Sequence, residues 1–279
     1  MSYTAEINRS NPSCFLFLID QSGSMSDQFG AGESTKTKAE GVADAINRLL
    51  QNLVIKCAKS EGVRDYYHVG VIGYGNRVGS AFGGQLSSRD LVPISEIASN
   101  PCRIEPRSKK VDDGAGGIVE QSVKFPIWFE PVASGGTPMC QTFSQAKTVL
   151  DGWLNQHAKC FPPIVINITD GESTDGDPSS ASMAVRELKS DDGNVLLFNL
   201  HVSSHRATPI TFADSEELLP DQFAKLLFGM SSRLPDYMRQ IARQERFTVS
   251  DNTRGFAFNA DLLSVIQFLD IGTRPSNLR

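Results

Sequence analysis

The sequence predicts an α/β domain built on a mostly parallel sheet. Three observations carry that prediction: short apolar runs that end on polar residues, helical periodicities between those runs, and oxygen-bearing side chains gathered where the runs end. The first run, Cys14-Phe-Leu-Phe-Leu-Ile19, is apolar throughout and stops at Asp20. A strand covered on both faces carries such a run, because neither face needs polar residues.

The remaining elements follow in order. After a Gly- and Ser-rich stretch, Ala39, Val42, Ala43, Ile46, Leu49, Leu50, Leu53, Val54 and Cys57 recur at helical spacing. Thr37 and Glu40 have capping-box spacing at its start, and Gly62 offers a stop. Tyr66 to Tyr74 reads as a second strand ending at Gly75-Asn76. Residues 77–131 hold short strand-like pieces such as Ser122 to Phe129 and are read as strands or a hairpin, with an exposed loop expected near 105–118. A helix is predicted from Pro138, a favoured first-turn residue, through Phe143, Ala146, Leu150 and Leu154. Ile164-Val-Ile-Asn-Ile168 is another buried strand, leading into Thr169-Asp170-Gly171. A helix from Pro178, a strand over Val195 to Val202, helices near 221–229 and 235–244, a strand at Gly255 to Phe258 and a helix over about 260–271 complete the alternation. One domain over 1–279 is expected, with its core at about 13–270 and an insertion at about 77–131.

Composition excludes several classes. The 279 residues are 40% apolar and 21% charged with a net charge of −5, ordinary for a globular chain and without a nucleic-acid footprint. Arg107, Lys109 and Lys110 are the one basic cluster, and a solvated loop accounts for them. Five cysteines, none in a C-x-x-C pair, argue against a disulfide framework. No stretch has the length of a membrane span, and the first apolar run is too short for a signal peptide. A cytoplasmic protein, binding neither membrane nor nucleic acid, is the expectation.

The chemistry gathers at the run ends. In Asp20-Gln-Ser22-Gly-Ser24, side chains at i, i+2 and i+4 of an extended chain point the same way, so three oxygens converge within five residues. Carboxylate plus hydroxyls suits a hard cation: Mg²⁺ first, with Mn²⁺ and Ca²⁺ as alternatives. Hydroxyls are weak ligands, so other segments must contribute. Ser134-Gly-Gly-Thr137-Pro138 and Thr169-Asp170-Gly171-Glu172 can do so, and ligand sites of open parallel sheets lie beyond the carboxyl ends of strands. Each motif alone also has a plain reading: Asp20 to Ser24 as a turn, Thr137 as a helix cap.

Taken together and in this order, D-Q-S-G-S, G-G-T-P and T-D-G-E resemble the von Willebrand factor A-type domain over about residues 13–270. The resemblance implies a doubly wound, Rossmann-like sheet flanked by helices, with a metal-ion-dependent adhesion site at its top edge. It further implies that Ser22, Ser24 and Thr137 are hydroxyl ligands, that Asp20 and Asp170 bind directly or through water, and that a partner protein's Asp or Glu carboxylate completes the coordination. With three neutral ligands and two carboxylates, a bound cation keeps much of its charge for such a partner. Met25, Asn76, Pro138, Glu172 and Ser173 are expected at the rim. Bacterial intracellular members linked to tellurite resistance are similar, which suggests a scaffold or adaptor in a stress or signalling assembly, with a kinase or PP2C-type phosphatase as partner.

Two other classes compete. A metal-assisted, phosphatase-like hydrolase lacks an evident base for Ser22 or Ser24, and the chain has no G-x-x-x-x-G-K-[ST] loop. A structural subunit whose metal only stiffens loops is the other. His201 and His205 are spaced i, i+4 but follow a predicted strand, so a structural or surface role is preferred over a metal pair; His68 reads as a core or edge histidine. Asp175-Gly-Asp177 reads as an exposed acidic turn, since no glutamate stands at the twelfth position of a calcium loop.

Overall fold

The protein is described here by a computed structural model covering residues 3–28, 36–112, 118–202, 208–260 and 267–268, with main chain alone at 109–112 and 118. Five parallel strands form the centre of its main sheet: β1 (Ser13–Asp20), β2 (Tyr67–Tyr74), β7 (Ile164–Thr169), β8 (Leu196–Val202) and β10 (Phe256–Ala260). Antiparallel edge strands flank them. β3 (Val78–Ser80) and β4 (Val92–Pro93) pair with β2, and β9 (Ile210–Thr211) pairs with β10. The spatial order is β9-β10-β8-β7-β1-β2-β3. From β1 the chain moves outward to β2, then returns to β7 on the other side of β1. The order therefore reverses between β1 and β7, the doubly wound arrangement in which ligands bind at the strands' carboxyl ends.

Burial on both faces explains the apolar runs. Along β1, Phe15, Phe17 and Ile19 enter one core layer while Cys14, Leu16 and Leu18 enter the other. The first layer is closed by α1 (Lys38–Cys57), α2 (Ile94–Ser99) and α6 (Asp236–Gln244), the second by α3 (Met139–Leu154) and α4 (Ser179–Arg186). α5 (Gln222–Met230) packs Leu227 and Phe228 with Phe256 and Phe258 of β10. The predicted capping box of α1 is present, Thr37 accepting from Glu40 N and Glu40 from Thr37 N. Its helix ends at Cys57, before Gly62, which instead takes a positive φ in a tight hairpin of Ala58–Lys59 with Gly62–Val63.

The insertion departs most from expectation. Where an exposed loop was expected from 105, β5 (Arg103–Asp112) and β6 (Ile118–Ile127) pair in a ten-residue antiparallel ribbon. The ribbon belongs to no larger sheet, and apolar alternation marks only the base of its second strand, where Phe125 and Ile127 are buried within the expected Ser122–Phe129 piece. Charge holds it instead: Arg107 bonds Asp44 of α1 at 2.8 Å and lies 3.7 Å over the Phe125 ring, and Arg103 bonds Glu130 at 2.6 Å. Arg107 is thus a strand residue in an ion-pair ladder and not part of a solvated loop. Asn47, buried in α1, accepts from Trp128 N at 2.8 Å and donates to Phe129 O at 3.0 Å, anchoring the ribbon's base. The helix expected over about 260–271 falls outside the described residues, except at 267–268. β10 runs on to Ala260. Among the described residues no helix is long and apolar enough to cross a membrane.

Candidate metal centre

Three loops meet where the strand order reverses. Asp20 ends β1, and a 3₁₀ turn, Gly23–Ser26, follows it. The segment 134–138 leads into α3, and Asp170 follows β7. Backbone hydrogen bonds knit the loops together. Gly23 N donates to Gly135 O (3.0 Å), Ser134 N to Gln21 O (2.6 Å), Asn76 N to Ser134 O (3.1 Å) and Thr174 N to Thr137 O (2.9 Å). This close approach requires glycine at two positions. A Cβ on Gly75 would sit 2.5 Å from Ser134 O, and one on Gly135, whose φ is +87°, would sit 2.4 Å from Asn76 N.

Four of the five expected ligands form one connected chain. Asp20 Oδ1 accepts from Ser22 N at 2.8 Å, Ser22 Oγ and Ser24 Oγ lie 3.1 Å apart, and Ser24 Oγ donates to Asp170 Oδ1 at 2.7 Å. Thr137, the fifth, is tied instead to the loop after β7, Thr137 N donating to Thr174 Oγ1 at 2.9 Å. Asp20, Ser22 and Thr137 are buried, while Ser24 faces solvent. The cluster is therefore closed below and open on the Ser24 side.

Burial pushes the Asp20 carboxyl up to about 6; hydrogen bonds from Ser22 and Thr169 (Thr169 Oγ1 at 2.7 Å) pull it down, and the Asp170 charge adds to the rise. No cation pairs with Asp20 among the described residues, so this carboxylate lacks the counter-charge that a buried anion needs. No group of three or more His, Cys, Asp or Glu gathers to hold a metal among the described residues. The donors present are all oxygen, mostly hydroxyl, which fits a hard cation completed by water and does not fit a thiolate or imidazole site.

Sequence reasoning missed three neighbours. Lys38 opens α1, its side chain 5% exposed, and its Nζ lies 2.5 Å from Asp170 Oδ2 and 3.4 Å from Asp27 Oδ2. A signal for it existed: a lysine in the first turn of a helix opposes the helix dipole. Thr169, the residue before Asp170, orients Asp20. His201, on β8 beside Thr169, is buried and stacks on Phe258 at 4.2 Å. Burial drives His201 down to about 4, and its Nδ1 accepts from Asn259 N, so the ring is neutral and structural. His205 lies outside the described residues. His68 accepts from Trp153 Nε1 at 2.7 Å, a satisfied strand histidine. No histidine bonds the hydroxyl of Ser22 or Ser24 among the described residues.

Of the expected rim, Asn76 and Glu172 are exposed, and Pro138 and Ser173 are partly so. Met25 is a correction. The 3₁₀ turn folds its side chain inward, and it is fully buried in the layer beneath α1. Ser173 bonds Asp175, which in turn accepts from Cys140 N (3.0 Å) and Gln141 N (2.9 Å) and so caps α3 from a distant loop. Partial burial raises the Asp175 carboxyl, but those N–H groups outweigh it and hold it low. The acidic turn is thus a helix cap.

No family model matches the chain, and no curated protein matches it. Among solved structures, it is similar to a von Willebrand factor type A protein from Catenulispora acidiphila at 14% identity and a TM-score of 0.45, over 95% of this chain and 43% of that one. It is also similar to proximal thread matrix protein 1 of the mussel byssus, described with a zinc-occupied MIDAS motif, at 13% identity and a TM-score of 0.45, over 96% and 48%. The ArnB paralog VWA2 from Sulfolobus acidocaldarius is similar at 14% identity and a TM-score of 0.34, over 70% and 36%. The chain spans less than half the length of each of these structures. Likenesses this weak carry no functional inference.

Proposed function

We propose that this chain is a metal-dependent protein-interaction module and not an enzyme. Ser22, Ser24 and Thr137 would supply hydroxyls, and Asp20 and Asp170 carboxylates, to one divalent cation, Mg²⁺ before Mn²⁺ or Ca²⁺. The cation would supply an electrophilic position for a partner's Asp or Glu carboxylate. The observation that supports this reading is the Asp20–Ser22–Ser24–Asp170 chain at the reversal of strand order, with Ser24 its exposed member. Asn76, Pro138, Glu172 and Ser173 would contact the partner. Beside Glu172 and Ser173 a cavity of about 410 Å³, lined also by Pro178, Phe223 and Leu226, offers room for the side chain next to the bound carboxylate. The finer reading, a cytoplasmic adaptor in a stress or signalling assembly with a kinase or PP2C-type phosphatase, rests on the motif resemblance.

Titration of Mg²⁺, Mn²⁺ and Ca²⁺ into EDTA-stripped protein by calorimetry tests the site. Wild type is expected to bind one ion. Ser24→Ala removes an exposed hydroxyl and leaves the core intact, so its affinity is expected to fall by about tenfold or more, the worth of roughly one strong polar contact. Equal affinity in the two proteins would take Ser24 out of the site.

A further inference from the structure

Lys38 places an ammonium group inside the cluster. Its ammonium and the Asp170 carboxylate are 2.5 Å apart, with side chains only 5% and 1% exposed. Asp170 Oδ1 already receives Ser24 Oγ, and its backbone continues directly from the end of β7. Its position therefore does not depend on Lys38. A divalent cation drawing on Asp170 must share that carboxylate with an ammonium. Like charges within a few ångströms in a poorly solvated site repel strongly.

Resting on the metal-ion reading of the site, we propose that Lys38 is a built-in competitor for the divalent cation, with Asp27 as its alternative seat. Lys38 Nζ lies between two carboxylates: the buried Asp170 at 2.5 Å and the exposed Asp27, 59% exposed, at 3.4 Å. Asp27 is fixed to the same helix end, since Lys38 N donates to Asp27 O at 2.8 Å. A small swing of the lysine side chain moves the ammonium from the ligand carboxylate to the rim and needs no backbone movement. In one seat the charge of Asp170 is neutralised by the protein itself. In the other, Asp170 is free for the divalent ion while the ammonium remains paired. The site thus carries its own monovalent counter-ion, and divalent occupancy becomes an exchange: its affinity is set low and it depends on where Lys38 rests.

The test is calorimetric titration of Mg²⁺ into EDTA-stripped wild type, Lys38→Met, Lys38→Arg and Asp27→Asn, with melting temperature followed with and without Mg²⁺. Lys38→Met is expected to bind Mg²⁺ about tenfold or more tightly than wild type, because the competing charge is gone. Without Mg²⁺ its melting temperature should fall, since Asp170 is left buried and unpaired, and Mg²⁺ should restore it by more than it stabilises wild type. Lys38→Arg, which keeps the charge, should stay near wild type. Asp27→Asn, which removes the alternative seat, should bind more weakly and still folds if Lys38→Met does not. Unchanged or weaker binding by Lys38→Met, or unchanged binding by Asp27→Asn, overturns the competitor role while leaving the metal site standing. Binding by Lys38→Met but not by wild type supports it, and binding by none of the four proteins removes both the competitor and the site.

Discussion

Gly135→Ala is expected to destabilise the protein by about 3 kcal/mol and to weaken divalent-ion binding at the same time. Residue 135 has φ +87°, a conformation that costs an L side chain about 1–2 kcal/mol. The added Cβ would also fall 2.4 Å from Asn76 N and 2.8 Å from Asn76 Cα, backbone atoms that cannot turn aside as a side-chain tip can. Relieving that clash separates residues 134–138 from the end of β2. The hydrogen bonds from Gly23 N and to Gln21 O run through this contact, so the Thr137 loop and the Asp20–Ser24 loop lose their shared register. Gly152→Ala is the matched control. It lies exposed inside α3 with no atom within 4 Å of the new Cβ, and it should stabilise by about 0.5–1 kcal/mol. Urea denaturation of both variants, paired with Mg²⁺ titration, checks the pair. A Gly135→Ala protein as stable as wild type would mean that the loops do not pack in this way.

Asp20→Asn is expected to abolish ion binding and yet to stabilise the EDTA-stripped protein at pH 7.5 by about 2–3 kcal/mol. The folded protein holds the Asp20 carboxyl near 6, against 3.8 for a free aspartate. Below pH 3.8 both folded and unfolded chains carry the proton, and ionisation costs nothing. Between 3.8 and 6 the unfolded chain ionises first, so stability falls as pH rises, and above 6 the loss is complete. Asparagine never pays that loss. Its amide also fits the site: Ser22 N can still donate to Oδ1, and Thr169 Oγ1 can turn its hydrogen to Gly171 O, 3.0 Å away, and accept from the amide. His201 acts with the opposite sign. Burial holds it near 4 against 6.5, so its contribution is present above pH 6.5 and lost as pH falls to 4. In wild type the two effects offset each other over nearly the same pH range. Asp20→Asn leaves His201 unopposed, so the variant should lose about 3 kcal/mol between pH 6.5 and 4. Denaturation midpoints at pH 7.5, 5.5 and 4 in EDTA decide it, and a variant less stable than wild type at pH 7.5 contradicts the buried, unpaired state of Asp20.

Much of this architecture is legible in the amino-acid order because its causes are local. The apolar runs of β1 and β7 mark strands covered on both faces, and Asp20 and Asp170 follow them directly. The Thr37–Glu40 box and the α1 periodicity are likewise written in neighbouring residues. What escaped depends on segments far apart in the chain. Lys38 meets Asp170 across 132 positions, and Asp175 caps α3 from 35 positions away. Tyr74, Asn167, Asn199 and Ser231 form a buried hydrogen-bonded row across the sheet from β2 to the end of α5, and no spacing announces it. Residues 105–112 of β5 are expected as loop because ion pairs and a cation–π contact replace the apolar face there, whereas the Ser122–Phe129 piece reads as a strand from the alternation of Val123, Phe125 and Ile127. Met25 does not reach the rim because the 3₁₀ turn after β1 folds its side chain into the core, and no local spacing signals that turn.

The central claim is that Asp20, Ser22, Ser24, Thr137 and Asp170 surround one divalent cation. Crystals grown with Mn²⁺ and measured at the manganese absorption edge test it most directly, because the anomalous signal locates the ion without reference to its ligands. The expected result is a single strong peak about 2.2 Å from Ser22 Oγ and Ser24 Oγ, within direct or water-mediated reach of Asp20, Thr137 and Asp170, and absent in Asp20→Asn. A peak elsewhere, or none at saturating Mn²⁺, would contradict it.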